Sequence, residues 1–184
     1  MSVVISLLRG INVGGNHKIK MDALRDLYAS LDLRDVQTHV QSGNVVFRTK
    51  ERSLARLTKR IEDAIEQTFG FHSNVVVRTR AEWSDVIARN PFAKRTGIEP
   101  AKLLVTFLGS LPAADALNKL HAIKADPEEL HIDGRELYIY FPDGVGRTKL
   151  PWASIEKILK VPGTARNWNS VVKMLEIADK LELL

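Results

Sequence analysis

Between Arg9 and Lys20 the chain reads RGINVGGNHKIK, a segment with three glycines, two asparagines, a histidine, three Lys or Arg residues and no acidic residue. These residue types suit the binding of an anion. Gly10, Gly14 and Gly15 let backbone N–H groups turn toward one point without a Cβ in the way, and a run of such groups makes an anion-binding nest. Arg9 and Lys18 would add charge. Asn12 would add an amide, and a helix beginning after the loop would add the positive end of its dipole. The plainer alternative is a glycine-rich turn with no ligand. A strand-to-helix link is usually about two to six residues, and this one is longer and has little that could pack in a core.

Two near misses narrow the chemistry. Gly10 and Gly15 have the spacing of a phosphate-binding G-x-x-x-x-G-K-[ST] loop, but Asn16 and His17 follow, so the lysine and the magnesium-binding hydroxyl of a nucleoside triphosphatase are missing. The dinucleotide fingerprint G-x-G-x-x-G is also absent.

The remaining catalytic signals are thin. The five histidines are His17, His39, His72, His121 and His131. None forms an i, i+4 pair with another, and there is no H-E-x-x-H. No cysteine is present, which excludes a thiolate metal site, a disulfide framework and a cysteine nucleophile. His39 and Ser42 lack an evident acid to complete a triad. Glu128 and Glu129 are adjacent, so on a strand they would face opposite sides. His17 is either a general base or a solvated loop histidine. No metal and no cofactor are expected, and no catalytic residue is assigned.

A second polar group lies near the C-terminus. PDGVGRTKL, residues 142–150, is a glycine-bearing loop with Arg147 and Lys149. TARNWNS, residues 164–170, reads as a helix start with Arg166, Asn167 and Asn169 near its first turn. Such a start suits a phosphate or carboxylate, although Thr164 or Asn167 could serve only as a cap. Trp168 shares a helical face with Val171, Leu175 and Ala178, which favours a core role for it.

The elements that must position these residues follow from periodicity and turn chemistry. Residues 2–8 are a short apolar, β-branched run, a buried strand. Residues 22–31 read as a helix that Asp22 could cap. Residues 36–41 and 45–48 form a hairpin around Ser42-Gly43-Asn44. Residues 54–69 are an amphipathic helix stopped by Gly70, and 75–78 a further strand. This is the β-α-β-β-α-β order of a split β-α-β, ferredoxin-like domain. In that topology the third strand lies between the first two, so Gln41, Ser42 and Asn44 should sit beside the glycine loop.

The order then begins again after a short helix over 81–89 and a linker, NPFAKRTGIEP. It runs through a strand at 102–108, a helix at 113–123, a hairpin at 129–141 around Asp133-Gly134 and a helix at 152–159. The last strand of the pattern is not visible, and a helix over 167–183 stands in its place. The fold class is therefore α+β with two related halves: residues 1–80, a connecting segment 81–100, and residues 101–184.

The whole chain has 184 residues, ordinary hydrophobic and charged content, and a formal charge of +5, with a pI near 9.5. The first ten residues read as a strand rather than a signal peptide, and no run approaches the ~20 apolar residues of a membrane span. A cytoplasmic location is the expectation. Arg147, Lys149, Lys157, Lys160, Arg166 and Lys173 are opposed only by Glu156 between Val145 and Leu175, so this region is either a solvated face or a nucleic-acid surface. An RNA-binding sheet would need aromatics on its third strand, and NVVFR offers only Phe47.

Together, LLRGINVGG, QSGNVVF, PDGVGRTKL and TARNWNS resemble the bacterial family labelled domain of unknown function 1697, over nearly the whole chain. Thr148 and Ser170 stand where the family pattern often has Ser and Thr. The family has no established activity, so the resemblance implies a small cytoplasmic α+β protein with clustered motif residues. Those include Arg9, Gly10, Asn12, Gly14, Gly15, Gln41, Ser42, Gly43, Asn44, Lys149, Arg166, Asn167, Trp168 and Asn169. The functional expectation is binding of a phosphate-bearing small molecule or nucleotide at the glycine loop. A phosphate-ester hydrolase or transferase on the same site and a nucleic-acid-binding module are the alternatives.

Overall fold

The computed structural model describes residues 1–184. They form two compact units, Met1–Ile87 with Val172–Leu184, and Ala88–Val171.

The first unit opens with β1 (Ser2–Leu8), α1 (Met21–Ser30), β2 (Arg34–His39), β3 (Asn44–Thr49), α2 (Leu54–Phe69) and β4 (Val75–Thr79). Its sheet has the order β2-β3-β1-β4, every neighbouring pair antiparallel. β3 thus lies between β1 and β2, as the split pattern requires. Val4, Leu8, Phe47 and Val77 on one face pack into a core with Leu24, Tyr28, Leu57 and Ile61 from α1 and α2. Val3, Ile5 and Leu7 on the other face are buried as well. Burial of both faces explains why β1 is a nearly unbroken apolar run rather than an alternating one. Its exception, Ser6, shares a 2.9 Å hydrogen bond with the Tyr28 hydroxyl. Burial of that phenol raises its pKa.

Helix ends follow local chemistry. Ser53 caps α2, its hydroxyl accepting from the Arg56 amide at 3.2 Å, and Gly70 ends it in the left-handed conformation with φ 77°, as the sequence predicts. Asp22 differs from expectation. Lys20 is the N-cap of α1 and Asp22 lies in the first turn, paired with Arg25.

The second unit contains β5 (Leu103–Leu108), α4 (Ala116–His121), β6 (Glu129–Asp133), β7 (Glu136–Tyr140), α5 (Trp152–Leu159) and β8 (Gly163–Asn167). Its sheet order is β6-β7-β5-β8. The strand that the sequence did not reveal is therefore present as β8, so the second half also completes the pattern. GTARN hides because Gly and Asn are depleted in strands and only Thr164 and Arg166 are buried. Pairing with β5 forms the strand. Gly163 is required there, since a Cβ would sit 2.9 Å from Leu108 Cδ2 and 3.0 Å from the Phe107 carbonyl oxygen.

The two sheets repeat one detail. Arg78 on β4 lies opposite Ile5, and Arg166 on β8 lies opposite Val105. Both arginines are buried, each in the penultimate position of the last strand. Each last strand runs directly into a helix, α3 (Arg80–Ala88) and α6 (Trp168–Glu182).

The division between units falls within α3 and α6. From Val172 onward the C-terminal helix groups with the first unit, where Asp179 accepts from Arg80 of α3 at 2.8 Å. Helical periodicity gives the helix but not the partner of its last three turns. No helix is long and apolar enough to cross a membrane.

Candidate functional site

The glycine loop leaves β1 at the edge of the first sheet where β2 ends and β3 and β4 begin. The Leu8 amide donates to the Gly43 carbonyl at 2.9 Å, and the Arg9 amide to the Asn74 carbonyl at 2.9 Å. The Ser73 hydroxyl donates to the Arg9 carbonyl at 2.9 Å. The first residues of the loop are therefore pinned between the β2–β3 turn and the segment before β4.

Asn12 ties the two ends of the loop together. Its amide donates to the Ile19 carbonyl at 3.0 Å and to the Gln41 carbonyl at 2.7 Å, and its side-chain oxygen accepts from the Ile19 amide at 2.9 Å. The predicted meeting of this loop with the 41–44 turn is thus made by a direct contact. Asn12 holds φ 56°, a left-handed conformation that asparagine tolerates better than most residues.

Beyond Asn12 the chain makes a small closed turn. The Asn12 amide donates to the His17 carbonyl and the Asn16 amide to the Val13 carbonyl, both at 3.1 Å. Gly14 and Gly15, at φ 58° and 81°, occupy the two central positions that such a turn reserves for glycine. The amides of Gly10, Gly14 and Gly15 donate to no backbone carbonyl, and all three residues are exposed. His17 stacks on Phe71, ring centroids 4.3 Å apart and planes 13° from parallel. Lys18 and Lys20 are exposed.

The β2–β3 turn serves mainly to build this edge. The Asn44 amide donates to the His39 carbonyl at 2.9 Å and to the Ser42 hydroxyl at 3.0 Å. Asn44 is fully buried, so it shapes the turn from inside. Gly43 is the tightest point: a Cβ there would lie 2.7 Å from Leu8 Cβ and 2.9 Å from Ile11 Cδ1, and its φ is 79°. Gln41 is exposed and Ser42 half-buried. His39 is partly buried, and that burial, with Lys173 nearby, lowers its pKa.

Sequence reasoning missed the third strand end at this edge. Phe71, Ser73 and Asn74 precede β4 and meet the loop, a neighbourhood that the 2-3-1-4 strand order entails. His72 also lies here. Its pKa is raised, first by its 3.0 Å hydrogen bond with Asn74 and then by Glu62 and Glu66.

The C-terminal group belongs to the second unit and divides differently. Arg166 is a strand residue, not part of a helix turn, and is 8% exposed. Its guanidinium donates to the Thr164 hydroxyl at 2.8 Å and to the Ala165 carbonyl at 2.9 Å, and burial lowers its pKa to about 10. Asn167 closes β8 and starts α6. Its side-chain oxygen accepts from the Asn169 amide at 3.0 Å, while its amide donates to the Ala101 carbonyl at 2.9 Å. Asn169 and Lys149 are exposed. Trp168 is half-buried, and the buried face of α6 runs through Val171, Met174, Ala178 and Leu181.

A family model described as Protein of unknown function (DUF1697) matches residues 1–138. Among solved structures, the chain is similar to a conserved bacterial protein from Streptococcus pneumoniae, at 22% identity and a TM-score of 0.77, over 96% of this chain and 98% of that one. That likeness is one of fold. No curated protein matches the chain.

Proposed function

The chain belongs to this family, whose description assigns no activity, and from the geometry of its glycine loop we propose that it binds a phosphate-bearing small molecule or nucleotide there. One observation carries the reading: Gly10, Gly14 and Gly15 present exposed amides that serve no backbone carbonyl, within a segment bearing Arg9, His17, Lys18 and Lys20 and no carboxylate. Donors aimed at solvent among like charges favour an anion. The stacked His17–Phe71 pair adds a flat surface at the same edge, which suits a nucleobase or sugar face. In this reading Gln41, Ser42 and the loop amides touch the ligand, while Asn12, Gly43 and Asn44 hold the loop against the turn.

The C-terminal residues take a supporting role. Arg166 is withdrawn into the second sheet, so it is removed from the ligand set; Lys149, Asn167 and Asn169 remain secondary candidates. The matching positions of Arg78 and Arg166 and the shared strand order support an ancient internal duplication in which only the first half kept an anion site. Cytoplasmic residence is part of the same proposal, supported by the lack of cysteine.

The test is isothermal calorimetry of the full chain with inorganic phosphate, sugar phosphates and nucleotides at two salt concentrations. Binding that weakens at least tenfold in Lys18→Ala/Lys20→Ala supports the reading. Absence of binding by any of these compounds, or binding unchanged in that variant, removes it.

A further inference from the structure

The opposite end of the first sheet holds a second feature. There β1 begins, β2 begins and β3 ends, with Ser2 opposite Thr49 and Arg34 opposite Arg48. The turn after α1 and the start of α2 close over the same end. Together they enclose a cleft of about 690 Å³ whose lining includes Arg34, Lys50, Arg52 and Arg60. Two carboxylates line it, Asp32 and Glu51. The volume falls in the range of about 300–1,000 Å³ typical of small-molecule sites.

The charges in this cleft are not balanced. Glu51 is engaged, accepting from the Ser53 amide at 2.9 Å and pairing with Arg56 at 3.7 Å. Arg60 is held in place by donating to the Leu31 carbonyl at 2.9 Å. The side chains of Arg34, Lys50 and Arg52 make no hydrogen bond or ion pair within the protein. Several other cations of the same unit do find partners: Arg25 with Asp22, Arg48 with Asp35, Lys59 with Asp63 and Arg80 with Asp179. Four cations face two carboxylates here, and Glu51 is already engaged by Ser53 and Arg56; the excess positive charge on a concave surface matches a multivalent anion, and guanidinium groups are suited to phosphate oxygens.

We propose that this cleft binds a compact phosphate compound carrying two or more phosphoryl groups, such as a polyphosphate or a sugar bisphosphate. The lining contains no Phe, Tyr, Trp or His, so the ligand is held by its charge. Binding of single-stranded nucleic acid commonly adds base stacking on aromatic side chains, which this cleft lacks. The site is separate from the glycine loop and lies at the other end of the same strands.

The probe is inorganic tripolyphosphate, titrated calorimetrically into the full chain. A binding event in wild type that falls at least tenfold in affinity in Arg34→Ala/Arg52→Ala, and is kept within twofold in Lys18→Ala/Lys20→Ala whether or not a second event at the glycine loop is lost there, supports the proposal. Both substituted arginines are exposed, so the variant should fold, and its unfolding curve checks this. Three results overturn the proposal: no binding by wild type, undiminished binding by the arginine variant, or loss of binding only in the loop variant. The last would leave the glycine-loop reading standing while this one fails. A short single-stranded oligonucleotide that displaces tripolyphosphate at equal phosphate concentration overturns the small-ligand reading.

Discussion

Substitution of Gly43 by alanine separates the glycines that build the site from those that face solvent. Gly43 sits at φ 79°, and a Cβ would approach Leu8 Cβ to 2.7 Å and Ile11 Cδ1 to 2.9 Å. Both neighbours are buried and fixed, Leu8 in a paired strand and Ile11 at 1% exposure. The left-handed backbone alone costs about 1–2 kcal/mol for alanine, and forcing one more carbon into a packed region adds about 1–3 kcal/mol. The sum is roughly 2–5 kcal/mol, or a fall in Tm of roughly 4–20 °C for a chain of this size. Gly15 is the internal control, because it has φ 81° and nothing within 4 Å of the added Cβ. Gly15→Ala should therefore lose only the backbone part, about 1–2 kcal/mol. Urea unfolding of both variants gives the comparison, read as midpoint shifts at a common slope. The binding assay should rank them in reverse order, since relaxing the Gly15 backbone turns its amide away from the proposed anion. If Gly43→Ala unfolds no more easily than Gly15→Ala, the close approach at Gly43 is not what fixes the loop against the turn, and the account of this edge is wrong.

Three further outcomes are expected. The Thr106 hydroxyl is buried without a hydrogen-bond partner, so Thr106→Val should stabilise the protein by about 1 kcal/mol in urea unfolding; destabilisation would mean the hydroxyl is satisfied after all. His72 should titrate above 6.5 by NMR because Asn74 bonds its ring, and Asn74→Ala should bring the midpoint down. The raised pKa means that its contribution to stability is complete below the unfolded value and fades as pH rises through the folded one, so a midpoint at or below 6.5 would contradict the geometry. Arg166→Ala should cost about 2–4 kcal/mol by leaving buried groups without their donor, with phosphate affinity of the folded fraction unchanged; a large affinity loss without destabilisation would return Arg166 to the ligand set.

The sequence by itself determined the α+β class, most of the elements, the Gly70 helix stop and the meeting of the glycine loop with the 41–44 turn. Each of these follows from a local period or a turn residue, together with one topological rule that places β3 between its neighbours. Tertiary structure alone decided the remainder. GTARN became β8 because β5 offered an edge to pair with, not through its own weak strand propensity. Arg166 moved from a supposed helix start to a buried strand position by the same pairing. Asn12 proved to be a brace rather than a free amide, since the Gln41 carbonyl that it meets is brought close only by folding, and Asn44 braces its own turn from a buried position. The last three turns of α6 joined the first unit through contacts far away in sequence. The cleft of Arg34, Lys50, Arg52 and Arg60 left no motif, because its residues come from different elements and converge only where the strand ends meet.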